Sequence, residues 1–200
     1  MPASMTARSC WRASFVTFAL ALGVAACARS TSTSEHPSED VSLVAVDGHR
    51  LDTAQLVSGS DWTVLVFISR ECPCVAAHNQ RLGELAAAFA PRVKFVAIDS
   101  EVGGTPEIEA AEIQKRRYPF PIFVDTKATL ANRLGAEYAT YTVIMNRAGE
   151  VLYRGGLDSD KVKLHDDATL YVRDALTDLT TGKPLRRSES TAVGCSLHKS

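Results

Sequence analysis

The sequence predicts an α/β domain in which helices flank a central mixed β-sheet. Residues 62–69 (WTVLVFIS) form a continuous apolar run rich in β-branched and aromatic side chains, which is typical of a strand buried on both faces. Residues 93–98 predict a second buried strand, and residues 75–90 between them carry apolar side chains at helical spacing. A helix that connects two strands of one sheet makes those strands parallel, so at least part of the sheet must be parallel.

The other predicted elements follow from local signals. Residues 41–46 predict a strand, and the Asp47-Gly48 turn leads into a predicted return strand over residues 51–56. Thr105, followed by a proline and acidic residues, predicts the start of a helix that ends near residue 117. The remaining prediction is a strand at 120–124, a helix at 127–134, an antiparallel hairpin of 142–145 with 151–154, and a final helix at 167–179.

The N-terminal residues predict an export signal. Arg8 and Arg12 precede an uncharged apolar stretch over residues 15–26, which is too short to span a bilayer as a mature helix. The stretch ends in Val24-Ala25-Ala26-Cys27, which resembles the bacterial lipobox, where the cysteine is lipidated and becomes the new N-terminus. We therefore expect a signal peptide over residues 1–26 and a lipid on Cys27 that holds the protein at the cell envelope, facing the periplasm or the cell exterior.

The length and composition of the remaining chain predict one domain. Residues 27–40 are mostly polar and predict a tether with nothing to bury, so the domain should cover residues 41–200, with a C-terminal tail over 183–200. The 200-residue chain is 46% apolar and carries a formal net charge of −1, which argues against a nucleic-acid partner. No glycine-rich phosphate loop follows a predicted strand, so we expect no organic cofactor.

The cysteines point to redox chemistry. Of the five cysteines, Cys10 would leave with the signal peptide and Cys27 would carry lipid, which leaves Cys72, Cys74 and Cys195. Three thiols outside the cytoplasm fit one disulfide pair with an exchange partner better than they fit a disulfide framework.

Cys72 is the predicted reactive thiol. It follows a buried strand and begins a helix, where free backbone N–H groups and the helix dipole favour the thiolate and should lower the thiol pKa. The thiolate is the attacking species in both disulfide exchange and peroxide reduction. The partner that resolves the resulting adduct stays open among Cys74, Cys195 and an external thiol.

A metal site is the alternative interpretation of the same segment. His78 lies four residues after Cys74, so the two side chains could share a helix face. Together with Cys72 they offer three ligands suited to copper or zinc, as in a metallochaperone, and Cys195 could add a fourth. A solvated or capping His78 is the simpler interpretation, and a redox-inactive binding protein is a third possibility.

Several segments together resemble a known family. They are Glu71-Cys72-Pro73 after the strand, Asp125 at the end of a later strand, residues 149–158 (GEVLYRGGLD), residues 171–176 (YVRDAL), Gly182-Lys183-Pro184 and residues 191–195 (TAVGC). This set resembles redoxin-domain proteins of the thioredoxin-like fold, which are related to peroxiredoxins of the alkyl hydroperoxide reductase/thiol-specific antioxidant type and to membrane-tethered thiol-disulfide reductases. The resemblance implies a protein disulfide, small thiol or peroxide as substrate and an external thiol as reductant.

Two positions depart from the family patterns. Ser69 stands three residues before Cys72 as in peroxiredoxins, but Leu65 occupies the place of the expected proline, which puts peroxidase activity in doubt. Thr140 stands near the place of the cis-proline of thioredoxins, so we expect a trans bond between Ala139 and Thr140.

Overall fold

The computed structural model describes residues 41–199. The predicted signal peptide, the lipidation site Cys27 and the tether lie outside these residues. The strands are Leu43–Ala45 (β1), Arg50–Leu51 (β2), Trp62–Ile68 (β3), Val93–Asp99 (β4), Ile122–Val124 (β5), Thr142–Asn146 (β6) and Val151–Gly155 (β7). The helices are Thr53–Val57 (α1), Pro73–Phe89 (α2), Pro106–Arg116 (α3), Thr129–Leu134 (α4) and Tyr171–Thr180 (α5). None of these helices is long and apolar enough to cross a bilayer.

The strands form one seven-stranded mixed sheet in the order β2-β1-β5-β4-β3-β6-β7. Strands β3, β4 and β5 are parallel neighbours, while β1, β2, β6 and β7 add antiparallel pairs at the two sides. The predicted α/β class with a mixed sheet is therefore confirmed, including its parallel centre and its closing hairpin.

The register of β3 and β4 brings the carboxyl ends of the two strands to the same edge of the sheet. The two strands pair from Trp62 opposite Val93 to Ile68 opposite Asp99, so their carboxyl ends lie side by side. The segments that follow both strands therefore meet at one edge of the sheet, where open α/β sheets place their ligands. The inner residues of β3 are almost completely buried, as the apolar run predicts.

The predicted return strand over residues 51–56 is wrong. The strand β2 ends at Leu51, and helix α1 begins directly after Asp52. The Asp52 side chain accepts a hydrogen bond from the Gln55 backbone N–H, and the Gln55 side chain accepts one from the Asp52 backbone N–H. This reciprocal capping box stabilises a helix start, and the Asp52 and Gln55 spacing is the local signal that identifies it.

The final helix begins later than predicted, at Tyr171 instead of residue 167. The backbone N–H of Ser159 donates to the Thr169 carbonyl, and the Ser159 hydroxyl accepts from the Thr169 N–H. These long-range bonds hold the chain before Tyr171 as a loop, which the local sequence pattern does not reveal.

Candidate functional site

Cys72 lies at the junction between β3 and α2. It occupies the N-cap position of α2, and Pro73 follows as the first helical residue. A backbone N–H at that position has no partner within the helix, so the missing N–H of proline costs no hydrogen bond. The backbone N–H of Cys72 donates to the Ser69 carbonyl at 3.2 Å, which closes a tight turn after the strand. The Cys72 side chain makes no capping hydrogen bond, and its N-cap position places the residue beside the free N–H groups of the first helical turn.

Three sulfur atoms meet at this junction. Cys72 and Cys74 form a disulfide, with their Cα atoms 5.4 Å apart. The Sγ atom of Cys195 lies 2.6 Å from that of Cys72 and 3.8 Å from that of Cys74. Cys72 and Cys74 are buried, whereas the free Cys195 is partly exposed. The three predicted site cysteines are thus in mutual contact.

The C-terminal tail is fixed in place by backbone hydrogen bonds around Cys195. The Ala139 N–H donates to the Cys195 carbonyl at 2.8 Å, and the Leu197 N–H donates to the Glu137 carbonyl at 2.9 Å. The Leu197 side chain is buried against the core, which supplies an apolar anchor two residues after Cys195. The tail therefore lies over Cys72 as an ordered segment.

Glycines allow the tail to approach this closely. A Cβ at Gly194 would collide with the Ala139 carbonyl oxygen, and a Cβ at Gly156 would lie 2.7 Å from the Thr191 carbonyl oxygen. Gly155 has a φ of 139° and would collide with Ser190 if it carried a side chain. These glycines stand in two of the segments that carry the family resemblance, residues 149–158 and 191–195, and their role is to admit the tail.

Thr140 also helps to hold the C-terminal tail in place. It has a φ of 73°, its N–H donates to the Phe67 carbonyl at 2.8 Å, and its hydroxyl donates to the Val193 carbonyl at 3.2 Å. Among the described residues the one cis peptide bond joins Ala90 to Pro91, so the Ala139–Thr140 bond is trans as expected.

His78 does not join the sulfur cluster. Its Nδ1 lies 2.7 Å from the Cys74 carbonyl oxygen, and its Nε2 lies 3.0 Å from a carboxylate oxygen of Asp158. Both partners are acceptors, so both ring nitrogens donate and neither has a free lone pair for a metal. The structure thus gives no support to a metal set of Cys72, Cys74 and His78.

The His78 ring belongs to a buried ion-pair network. Burial by itself would lower the pKa of His78, but the hydrogen bonds to Asp158 and to the Cys74 carbonyl outweigh it and raise this pKa. Burial works in the opposite direction on Asp158, yet the hydrogen bonds from His78 and Arg81 lower its pKa. The network therefore ties the first turns of α2, next to the cysteines, to the segment after β7.

A second charged cluster lies at the same edge of the sheet. Arg70 donates to Glu109 at 3.0 Å and lies 3.6 Å from Asp99. Glu109 is completely buried. One carboxyl oxygen of Glu109 and one of Asp99 lack a hydrogen-bond partner. Burial and the neighbouring Asp99 raise the pKa of Glu109 to about 8, so it holds a proton at neutral pH.

The sequence analysis placed some of these residues and missed others. It located Asp125 at the end of a strand, and the Asp125 carboxylate accepts a hydrogen bond from the Ala131 N–H in the first turn of α4. It did not reveal that His78 and Arg81 both pair with Asp158, although the helical spacing of His78 and Arg81 was a partial signal. Nothing local indicated that Glu109 faces Asp99.

The fold and the cysteine site define a redoxin with a thioredoxin-like architecture. Solved structures support the fold. A hypothetical protein from Sinorhizobium meliloti shares 24% identity at a TM-score of 0.72, covering 82% of this chain and 92% of that one. An uncharacterized conserved protein from Geobacillus kaustophilus shares 28% identity at a TM-score of 0.70, covering 82% of this chain and 93% of that one. A thioredoxin-like protein from Aeropyrum pernix shares 23% identity at a TM-score of 0.51, covering 60% of this chain and 81% of that one.

Residues 35–154 match the model of the AhpC/TSA family, and the chain belongs to that family. No curated protein sequence matches the chain. The predicted resemblance to redoxins of this type is therefore confirmed.

Proposed function

We propose that the protein is a thiol-based oxidoreductase in which Cys72 is the reactive sulfur and exchanges its disulfide partner between Cys74 and Cys195. The observation that carries this proposal is the position of the Cys72 sulfur, which is bonded to Cys74 while Cys195 lies 2.6 Å away. A thiol–disulfide exchange needs an attacking sulfur next to a disulfide, and this arrangement supplies it within one chain.

The reaction starts from the reduced protein. The Cys72 thiolate attacks one sulfur of a substrate disulfide, which breaks that bond, releases one substrate thiolate and forms a mixed disulfide. Attack by Cys195 or Cys74 on the Cys72 sulfur then releases the second substrate thiolate. The substrate gains two electrons, and an external thiol reductant opens the protein disulfide to complete the cycle.

The two candidate resolving cysteines differ in position. Cys195 is on the tail, is partly exposed and can approach Cys72 without any change in α2. Cys74 is completely buried in the first turn of α2 and holds the disulfide that the structure shows. In our mechanism Cys195 resolves the mixed disulfide, and Cys74 then displaces Cys195 to give the observed pair.

The tail also controls access to Cys72. The Cys72 residue is only 2% exposed beneath the tail, so an external disulfide can reach its sulfur only when the tail moves aside. Opening the tail breaks the backbone hydrogen bonds of Cys195 and Leu197 and exposes the Leu197 side chain, so the open state is a minor population. Release and return of the tail thus precede and follow the attack step.

Peroxide reduction is the second candidate, and membership of the AhpC/TSA family favours it. The Cys72 thiolate would attack one peroxide oxygen, giving a sulfenic acid and one molecule of water or alcohol. A resolving thiol would then form the disulfide and release water. The buried Leu65 in the centre of β3 stands where peroxiredoxins carry a proline, so disulfide exchange is our first choice.

The two reactions are separated by assays on one set of variants. The full chain would carry serine at Cys10 and Cys27, so that Cys72, Cys74 and Cys195 are its remaining thiols. We expect this protein to reduce insulin disulfides with a dithiol as reductant, faster than it consumes hydrogen peroxide, and we expect C72S to abolish both reactions. Full activity in C72S would remove the proposal, and faster peroxide consumption would select the peroxidase alternative.

We also propose that the protein works outside the cytoplasm as a lipid-anchored envelope protein. The lipobox-like residues ending in Cys27 support the anchor.

A further inference from the structure

The three sulfur atoms of the site also have the geometry of a metal-binding cluster. The Sγ atoms of Cys72, Cys74 and Cys195 all lie within 4.8 Å of one another. Two come from the start of α2, and the third comes from the tail. In the described part of the chain, this is the only group of three such ligand atoms, and it contains neither a carboxylate nor an imidazole.

We propose that, once the Cys72–Cys74 disulfide is reduced, the three thiolates bind one Cu⁺ ion. The donor set selects this ion by its chemistry. Thiolate sulfur is a soft ligand that favours Cu⁺ over the hard cations, which prefer oxygen. Structural Zn²⁺ almost always has four ligands, and the cluster offers three.

The spacing of the sulfurs fits a three-coordinate ion. A metal–sulfur distance of about 2.3 Å in a trigonal arrangement places the sulfurs about 4 Å apart. Cys74 and Cys195 already have that spacing, at 3.8 Å. The Cys72 sulfur has to move away from both, and opening its disulfide gives it the rotational freedom to do so.

The surroundings favour three negative sulfurs in one place. Cys72 occupies the N-cap position of α2, where the helix dipole and free N–H groups stabilise negative charge. The Cys195 backbone is held by the Ala139 N–H, so the third ligand arrives at a fixed position. Cys72 and Cys74 are buried, which limits competition from water.

This site differs from the metal set that includes His78, because Cys195 replaces the imidazole. It also differs from the oxidoreductase chemistry. An external dithiol first transfers two electrons to the disulfide, and Cu⁺ then displaces the thiol protons without changing its own oxidation state. Because the same sulfurs serve both purposes, bound Cu⁺ and the Cys72–Cys74 disulfide exclude each other.

The test uses the full chain with serine at Cys10 and Cys27, reduced with a dithiol, freed of the reductant and kept anaerobic. A Cu⁺ acetonitrile complex is titrated in competition with a chromophoric Cu⁺ chelator. We expect one ion per chain and three sulfur ligands in the X-ray absorption spectrum. We expect C195S to lower the affinity at least tenfold and to leave two sulfur ligands. The control is S196A, which changes an exposed neighbour of Cys195 and should bind as the parent protein does.

Two results would overturn the proposal. One is the absence of a 1:1 complex in the reduced parent protein. The other is a two-sulfur complex whose affinity is unchanged in C195S. Neither readout depends on turnover, so a failure here is separate from a failure of the proposed oxidoreductase activity.

Discussion

The Sγ atom of Cys195 lies 2.6 Å from the Sγ atom of Cys72, although 123 positions separate the two residues in the chain. Cys72 is at the same time bonded to Cys74. One sulfur therefore has two possible disulfide partners, one local and one from the tail, and in the proposed mechanism the protein changes between them without an external thiol.

Removing one partner should trap the other disulfide. In C74S, mild oxidation should give the Cys72–Cys195 disulfide in nearly every chain, because the two sulfurs are already in contact. In C195S the Cys72–Cys74 disulfide should persist. Peptide mapping by mass spectrometry without reduction distinguishes the two. If C74S, made in the protein with serine at Cys10 and Cys27, retains two free thiols after oxidation, Cys195 is not a resolving cysteine.

Loosening the tail should expose Cys72. The change Gly194→Val places a side chain against the Ala139 carbonyl oxygen, so the tail should dock less tightly. A docking penalty of about 1.4 kcal/mol corresponds to about a tenfold increase in the fraction of open molecules. The rate of Cys72 alkylation in the reduced protein should rise by about the same factor.

The matched control for this variant is Gly83→Ala. An added Cβ at Gly83 makes only an ordinary contact, at 3.7 Å, with Pro119. This variant should leave the alkylation rate unchanged. An unchanged rate in Gly194→Val would show that the tail does not limit access to Cys72.

The His78–Asp158 pair should contribute strongly to stability. Both side chains are 1% exposed, so Asp158→Asn leaves a buried imidazolium without its counter-ion. Breaking a buried pair in this way costs about 3–5 kcal/mol. Urea denaturation of the oxidised protein should show the loss as a lower midpoint. In Asp61→Asn the affected ion pairs with Arg92 and Arg147 are exposed, so the loss should stay below about 1 kcal/mol.

Glu109 should make the folded state less stable as pH rises. Its pKa is about 8 in the folded protein and about 4.5 in the unfolded chain, so folding takes up a proton between these values. The stability of the parent relative to Glu109→Gln should be greatest below about pH 4.5, should fall between pH 4.5 and 8, and should level off above 8. Contributions from titratable groups that do not contact Glu109, such as His78 and Asp158, cancel in this difference.

Glu107→Gln on the same helix is the control for Glu109. Glu107 is exposed, and its hydrogen bond with Thr105 lowers its pKa below 4.5. Its replacement should therefore add no pH dependence above that value. A constant difference between the parent and Glu109→Gln from pH 5 to 9 would mean that Glu109 is not protonated in the folded protein. Denaturant titrations at each pH provide the measurement.

The proposed anchor predicts a specific N-terminus. The protein extracted from membranes should begin at Cys27 and carry a diacylglyceryl group, because the residues before Cys27 resemble a lipobox. Mass spectrometry of the intact protein should detect the added lipid, and Cys27→Ser should abolish it. Recovery of a chain with an unmodified Cys27 from the native membrane would contradict the anchor.

The sequence by itself determined most of the architecture. The buried runs at β3 and β4 and the helical spacing of α2 depend on residues close together in the chain, so local periodicity reveals them. The same local signals placed Cys72 at the strand–helix junction. The error at α1 was also local, since the capping pair of Asp52 and Gln55 was present in the sequence but was read as part of a strand.

Only the tertiary structure decided which distant groups meet. Cys195 reaches Cys72 because glycines after β7 and at position 194 let the tail cross closely, and no local pattern encodes that path. His78 was a candidate ligand in the sequence and became an ion-pair partner when the fold brought Asp158 to it. The raised pKa of Glu109 likewise needs burial beside Asp99. Burial and proximity over long sequence distances are products of chain packing, and they determine the chemistry of this site.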